Sequence, residues 1–381
     1  MAVLTAAQAV AVTGGAALIT LGGIVGREFA PAPALATLPL SLLVVGVAMA
    51  AVFAAWTMAR IGRARGFACG AAIGCAGALC AVVALYAESF ILFCGAAVLI
   101  GAANAFAQQY RFAAVESVSA ASAGLAVSIT LAGSLVGAVL GPELAARGEY
   151  WLEGARFSGT FLAVAGCYLF AGVLLLRLRI PLTPEPAAAA QGARPLREIA
   201  RNRVFVVAVL GAAAGYGVMT FVMTAAPLAM HVVDGYSLAH TAAVIQAHVL
   251  GMFAPSLVTG LLLARFGCRP VMLAGAVFLG VSLAAGFAGR EVSHYGLSMI
   301  ALGVGWNFLF VGGTTLLGGT HGPQERFRVQ AFNDFTVFGI SALGSLGAGA
   351  VMQLLGWNAV LWASVPAIVL AIGVLAWGRR K

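Results

Sequence analysis

Ala59-Arg60-Ile61-Gly62-Arg63 closes the second long apolar run of the chain, and Ala264-Arg265-Phe266-Gly267-Cys268 closes the eighth, with Arg65 and Arg269 following. One short basic turn repeated after the same run of each half marks an internal duplication. Working outward from it, cuts at charged or Pro/Gly-rich breaks leave apolar runs near 8–26, 35–58, 67–86, 90–110, 120–140, 157–178, 203–230, 237–263, 271–289, 294–318, 331–354 and 358–377. Each is close to the roughly 20 residues that cross a bilayer as a helix. The longest polar break, RIPLTPEPAAAAQGARPLREIARN, follows the sixth run, so the chain reads as 1–178, a linker 179–202, and 203–381. The expected fold is an all-α membrane protein of twelve transmembrane helices in two pseudo-symmetric six-helix bundles.

Composition agrees. Of 381 residues 62% are hydrophobic and 9% charged, where soluble domains carry about 25% charged residues; a soluble protein is excluded. Forty-nine glycines suit close helix packing in lipid. The net charge of +9 does not signal nucleic acid, because the basic residues lie in short connections. With the N-terminus inside, only Arg27, Arg147, Arg156 and Arg290 face outward, leaving 17 of 21 basic residues on the inner side. That bias places both termini on the inner, cytoplasmic side. The first run has no basic residue before it and no small-x-small site, so it is read as a span and not a removed leader. Six cysteines without a CxxC form no disulfide scaffold.

The twelve acidic residues fall mainly in loops or at span ends, so no mid-membrane carboxylate pair is on hand for an enzyme or a proton pump. Gly312-Gly313 and Gly318-Gly319 lack the preceding strand and the Gly-Lys-Ser/Thr ending of a phosphate loop. A second echo between the halves sets Arg111 with Glu116 and Arg328 with Asp334. These are expected to be salt bridges within each repeat that gate the inner ends of the helices.

Only His248 of the five histidines falls in the middle of a run. A mid-membrane imidazole needs a partner or a function. Met252 lies four residues on, and the preceding run carries Met219 and Met223, also four apart, so each pair shares a helix face. Met219 is 11 residues from the end of 203–230 and His248 is 11 from the start of 237–263; at 1.5 Å per residue both sit roughly 16 Å deep. Three thioethers and an imidazole form a soft set that selects Cu(I) over Mg, Ca or Mn. Methionines at this spacing are also common core filler, and the residues alone leave both readings open.

Two six-span repeats joined by an inner linker resemble the major facilitator superfamily over the full length. That superfamily carries Gly-x3-Asp-Arg-x-Gly-Arg-Arg between its second and third spans; here Ala59 stands for the Asp. Met219-x3-Met223 with Thr224-Ala-Ala-Pro227, and Gln246-x-His248-x3-Met252-Phe-Ala-Pro255, look like the CcoA-type copper importers of proteobacteria. The resemblance implies copper import by alternating access for assembly of the cbb3-type cytochrome c oxidase, with Met219, Met223, His248 and Met252 as ligands along the path. It implies no cofactor, copper being the cargo, and names the lipid bilayer and cytosolic copper chaperones as partners of a monomer. A riboflavin-transporting relative shares much of this signature. On that alternative Trp306, Asn307, Asn104, Gln108 and Tyr216 line the cavity and ring stacking dominates. A membrane sensor without transport is a third reading, disfavoured because no loop is long enough for a docking domain.

Overall fold

The computed structural model describes residues 1–32, 35–36, 38–178 and 194–377. Among them twelve helices are long and apolar enough to cross a membrane: spans 1 (Ala2–Phe29), 2 (Leu38–Ile61), 3 (Arg63–Tyr86), 4 (Phe90–Glu116), 5 (Ala120–Tyr150), 6 (Ser158–Leu176), 7 (Arg203–Val233), 8 (His240–Phe266), 9 (Cys268–Ala288), 10 (Val292–Gly318), 11 (Arg326–Leu355) and 12 (Trp357–Trp377). No strand occurs among the described residues. Number and order are as expected, while some ends are not. Span 5, expected at 120–140, runs on to Tyr150, and span 11, expected from 331, begins at Arg326. Hydropathy marks only the lipid-facing part of a helix, whereas Glu143, Arg147, Arg326 and Arg328 are as well hydrogen-bonded in a helical turn as any apolar residue. Of the expected linker, residues 179–193 lie outside the described residues. Beyond them Arg194 Nη2 donates to Thr320 O at 3.2 Å and Leu196–Ile199 form a single turn.

The chain divides into two compact units that are not the two contiguous halves. The first comprises Met1–Ser117, Gly133–Ala193 and Gln324–Phe335; the second comprises Val118–Ala132, Arg194–Pro323 and Thr336–Lys381. In the first unit span 4 packs on spans 1, 2 and 3, and span 6 on spans 1 and 3. In the second, span 10 packs on spans 7, 8 and 9, and span 12 on spans 7 and 9. The same pairing recurs at matching places in the order. The repeated turn behaves alike too: Gly62 (φ 81°, ψ 163°) and Gly267 (φ 83°, ψ 165°) each precede the first residue of the next span. A Cβ disfavours that positive φ, which is why the duplicated motif carries glycine at this place.

Proline and small residues shape the helices. Span 8 is one unbroken run in hydropathy, but the helix stops at Phe253 and restarts at Ser256, because Pro255 has no N–H and its ring clashes with the preceding turn. Span 7 ends in a π-helical turn, Leu228–Val233, directly after Pro227. Within the first unit Gly133, Gly137 and Gly141 form a stripe along span 5 against span 1. A Cβ on them would collide with Thr5 O, Ala9 O and the Ala16 methyl. Backbones this close gain dispersion contacts where lipid offers no hydrophobic drive.

Gly137→Leu is therefore expected to lower stability by about 1–3 kcal/mol through overpacking, read as an earlier thermal unfolding midpoint in detergent. Gly166→Leu on span 6, where a Cβ meets open space, is expected to leave the midpoint in place.

Candidate functional site

In the second unit spans 8 and 10 run side by side in parallel. His248 lies opposite Met299, Gly251 and Met252 opposite Gly303, and Ser256 and Thr259 opposite Asn307. Gly303 permits the approach: a Cβ there would lie 2.6 Å from Met252 N and 2.7 Å from His248 O. Asn307 closes the seam where Pro255 interrupts the ladder. Its Nδ2 donates to Met252 O and Ser256 Oγ, both at 2.7 Å, and its Oδ1 accepts from Thr259 Oγ1 at 2.7 Å. This is how a proline is tolerated in a transmembrane helix, a neighbouring side chain satisfying the freed backbone group.

Asn307 is fully buried and its amide is committed to that repair. It is thus part of the scaffold and not the cavity-lining residue expected from the sequence.

His248 is also fully buried. Its Nδ1 lies 2.8 Å from Met299 O, and a carbonyl only accepts, so Nδ1 carries the proton. In the neutral ring Nε2 is then a bare acceptor, and it has no hydrogen-bond partner. Met252 and Met219 are buried and Met223 is half-buried. The two pairs lie on successive spans, Met219 and Met223 on span 7 and His248 and Met252 on span 8. Spans 7 and 8 barely touch one another, and span 10 packs against both. Span 7, which carries Met219 and Met223, therefore packs against span 10 more than against span 8, which carries His248 and Met252.

What span 10 does gather is aromatic. Trp306 stacks on Phe310 (centroids 5.0 Å apart, 19° between planes) and takes Phe253 of span 8 and Tyr216 of span 7 edge-on at 5.6 and 5.4 Å. Tyr216 in turn meets Phe310 at 5.2 Å and Phe338 at 5.1 Å. Trp306 is 2% exposed and its indole N–H has no acceptor. Of the residues read as lining a cavity, Trp306 and Tyr216 lie here; Asn104 and Gln108 belong to the first unit, half-buried on span 4. Phe253, Phe310 and Phe338 were missed. The four-residue spacing of Trp306 and Phe310 was the visible signal, but rings on three helices share no sequence pattern.

The expected charge pairs are crossed. Arg111 pairs with Asp334, both 1% exposed, and Asp334 also accepts from Gln109 Nε2 at 2.6 Å and Asn333 Nδ2 at 2.9 Å. Glu116 takes Arg63 as its partner, Nε at 2.9 Å and Nη2 at 2.5 Å, with Arg326 Nη1 at 3.6 Å. Gln330 joins this group, accepting from Arg63 Nη2 and donating to Glu116 Oε1, both at 2.9 Å. All of these residues belong to the first unit. The within-repeat pairing fails for a helical reason: five residues separate Arg111 from Glu116, about 140° around the axis, and six separate Arg328 from Asp334, about 120°. Arg328 is exposed. Arg63 was legible only as one basic residue of the repeated turn.

Among known proteins, the model of the Major Facilitator Superfamily matches residues 4–254. The riboflavin transporter RfnT of Brucella anthropi is 38% identical over 371 residues, 97% of this chain and 93% of that protein. The uncharacterized MFS-type transporter YddS of Bacillus subtilis is 29% identical, covering 97% of this chain and 88% of its own. Among solved structures, the MFS transporter FucP in the outward conformation matches with a TM-score of 0.77 at 17% identity, over 100% of this chain and 98% of FucP. A bacterial homologue of the iron transporter ferroportin matches at 0.76 and 15% identity, over 100% and 99%. At such identities the structural likeness concerns the fold alone.

Arg111→Leu leaves Asp334 a buried, uncompensated charge and is expected to lose about 3–5 kcal/mol of stability, most of it recovered in Arg111→Leu/Asp334→Leu. A double-mutant cycle on Arg328 and Asp334 is expected to give a coupling below about 0.5 kcal/mol. Strong coupling there, with none between Arg111 and Asp334, would reinstate the within-repeat pairs.

Proposed function

Because the chain belongs to the Major Facilitator Superfamily, we propose that this integral membrane transporter takes up riboflavin or a closely related flat heteroaromatic compound. The direction is inward across a bacterial inner membrane, with both termini cytoplasmic, as the charge bias suggests. One observation carries the substrate class: the cluster of Tyr216, Phe253, Trp306, Phe310 and Phe338 in the second unit. Edge-on and stacked pairing is the geometry in which aromatic rings attract one another, so a flat ring that reaches this cluster is held in the same way. The 38% identity to a riboflavin transporter along nearly the whole chain supports the same reading.

Copper import for oxidase assembly, the reading drawn from the methionine and histidine spacing, gains no support from these relatives. One observation still favours it as the second reading: His248 Nε2, buried and unpartnered, sits one turn from Met252 on the same helix. An imidazole nitrogen with thioether neighbours is a soft donor set.

Transport by alternating access also needs an inner gate. In this proposal it is formed by Arg63, Glu116, Gln330 and Arg326 together with Arg111 and Asp334. Asp334→Asn and Glu116→Gln are expected to raise cysteine labelling from the cytoplasmic side; labelling unchanged in both removes the gate role.

Uptake of labelled riboflavin and of Cu(I), measured side by side in one strain without its own importers, separates the two substrates. Riboflavin is expected to accumulate, and Trp306→Ala to reduce its uptake at least about tenfold at equal protein level in the membrane, since stacking on one ring contributes about 1–3 kcal/mol. Copper accumulation with no riboflavin uptake, abolished in Met219→Leu/His248→Leu, would reverse the assignment.

A further inference from the structure

Two polar atoms of opposite kind are left over in the seam between spans 8 and 10. His248 Nε2 accepts and has nothing to accept from; Trp306 Nε1–H donates and has nothing to donate to. Both side chains are essentially without solvent contact, at 0% and 2% exposure. Other polar groups of this seam are matched: Asn307, Ser256 and Thr259 satisfy one another, and His248 Nδ1 has Met299 O. Unmatched buried polar atoms in a native protein call for a specific explanation, and a ligand that completes them is one.

Their placement restricts that ligand. Both side chains belong to one seam of the second unit, His248 at the level of Met299 and Trp306 beside Phe253. Met299 and Trp306 are seven residues apart on span 10, about 10 Å along the axis at 1.5 Å per residue, so the two side chains belong to successive levels of the seam. Tyr216, Phe253 and Phe310 surround the indole with ring faces and edges. A ligand that fits is flat, fused, and carries a ring N–H as well as a ring carbonyl or pyridine-type nitrogen.

Resting on the riboflavin-class reading, the geometry points to His248 and Trp306 as the pair that selects the heterocycle: His248 Nε2 accepts the imide N–H of the substrate ring, and Trp306 Nε1–H donates to a ring acceptor. A site built to hydrogen-bond a substrate group rejects the analogue that lacks it, because the protein atom is then left unpaired. His248 selects for the N–H and Trp306 for the acceptor, so the two preferences are separable.

The test is binding of riboflavin and of its N3-methyl derivative, which has lost the imide N–H, to the purified full-length protein in nanodiscs, followed by quenching of flavin fluorescence. The wild type is expected to bind riboflavin at least tenfold more tightly than the methylated compound. His248→Leu is expected to bind both alike, at the weaker level, and His248→Gln, which keeps an acceptor, to regain part of the preference. Trp306→Phe keeps a ring but no N–H donor, so it is expected to weaken both ligands and leave their ratio unchanged. Unfolding midpoints near that of the wild type establish that each variant is folded. If His248→Leu and His248→Gln both retain the full tenfold preference while riboflavin still binds, the assignment of His248 is overturned and the riboflavin reading stands. If the wild type binds neither flavin but binds Cu(I) through His248, both fall together.

Discussion

Asn307 carries three hydrogen bonds across the seam between spans 8 and 10, and the arrangement of the second unit follows from the need they answer. No water is present in the hydrocarbon core of a membrane to pair a backbone group freed by a proline, so the protein has to supply the partner itself. Pro255 breaks span 8, Asn307 repairs the break, and the repair holds the two spans in one register. In that register Gly303 admits the span 8 backbone, His248 reaches Met299 O, and Phe253 meets Trp306. The candidate site is a consequence of a helix that could not continue.

The same constraint governs the charges of the first unit. Asp334 is 1% exposed and the Glu116 side chain 22%, and each is held by an arginine together with amide groups: Asp334 by Arg111, Gln109 and Asn333, Glu116 by Arg63 and Gln330. An ion pair of this kind gains little net stability over an apolar pair of the same shape, while loss of one partner is severe. Such a cluster is suited to an element that is either fully assembled or fully apart, as a gate requires.

Copper and riboflavin make different demands on the second unit. A metal path needs donor atoms that converge, and Met219 and Met223 lie on a span that meets span 10 more than it meets His248's helix. A flat ring needs faces, edges and a few directional polar atoms, and Trp306 with its neighbours has these. His248 serves either demand, since an unpartnered nitrogen with its other nitrogen fixed by a carbonyl is a defined acceptor for a proton donor or a soft cation. The choice of substrate therefore rests more on the rings than on the histidine.

The sequence by itself determined what repeats and what is local. Twelve apolar runs could only be membrane helices, because nothing else satisfies their backbone in lipid; the doubled Ala-Arg-x-Gly turn marked the internal duplication; and His248 stood out because a lone mid-span imidazole is expensive to bury. Tertiary structure decided everything that depends on which helices touch. Arg111 and Glu116 are close in the chain but on different sides of their helix, so Asp334, more than two hundred residues away, became the partner of Arg111. Asn307 is a polar residue of span 10 whose amide is taken up by the turn that Pro255 leaves unsatisfied, a pairing that no single stretch of sequence displays. The rings around Trp306 come from separate spans whose spacing in sequence carries no period. Hydropathy and helical periodicity are properties of one segment, whereas the pairing of segments is set by close packing and by the search of each buried polar group for a partner, and neither is written in any single stretch of the chain.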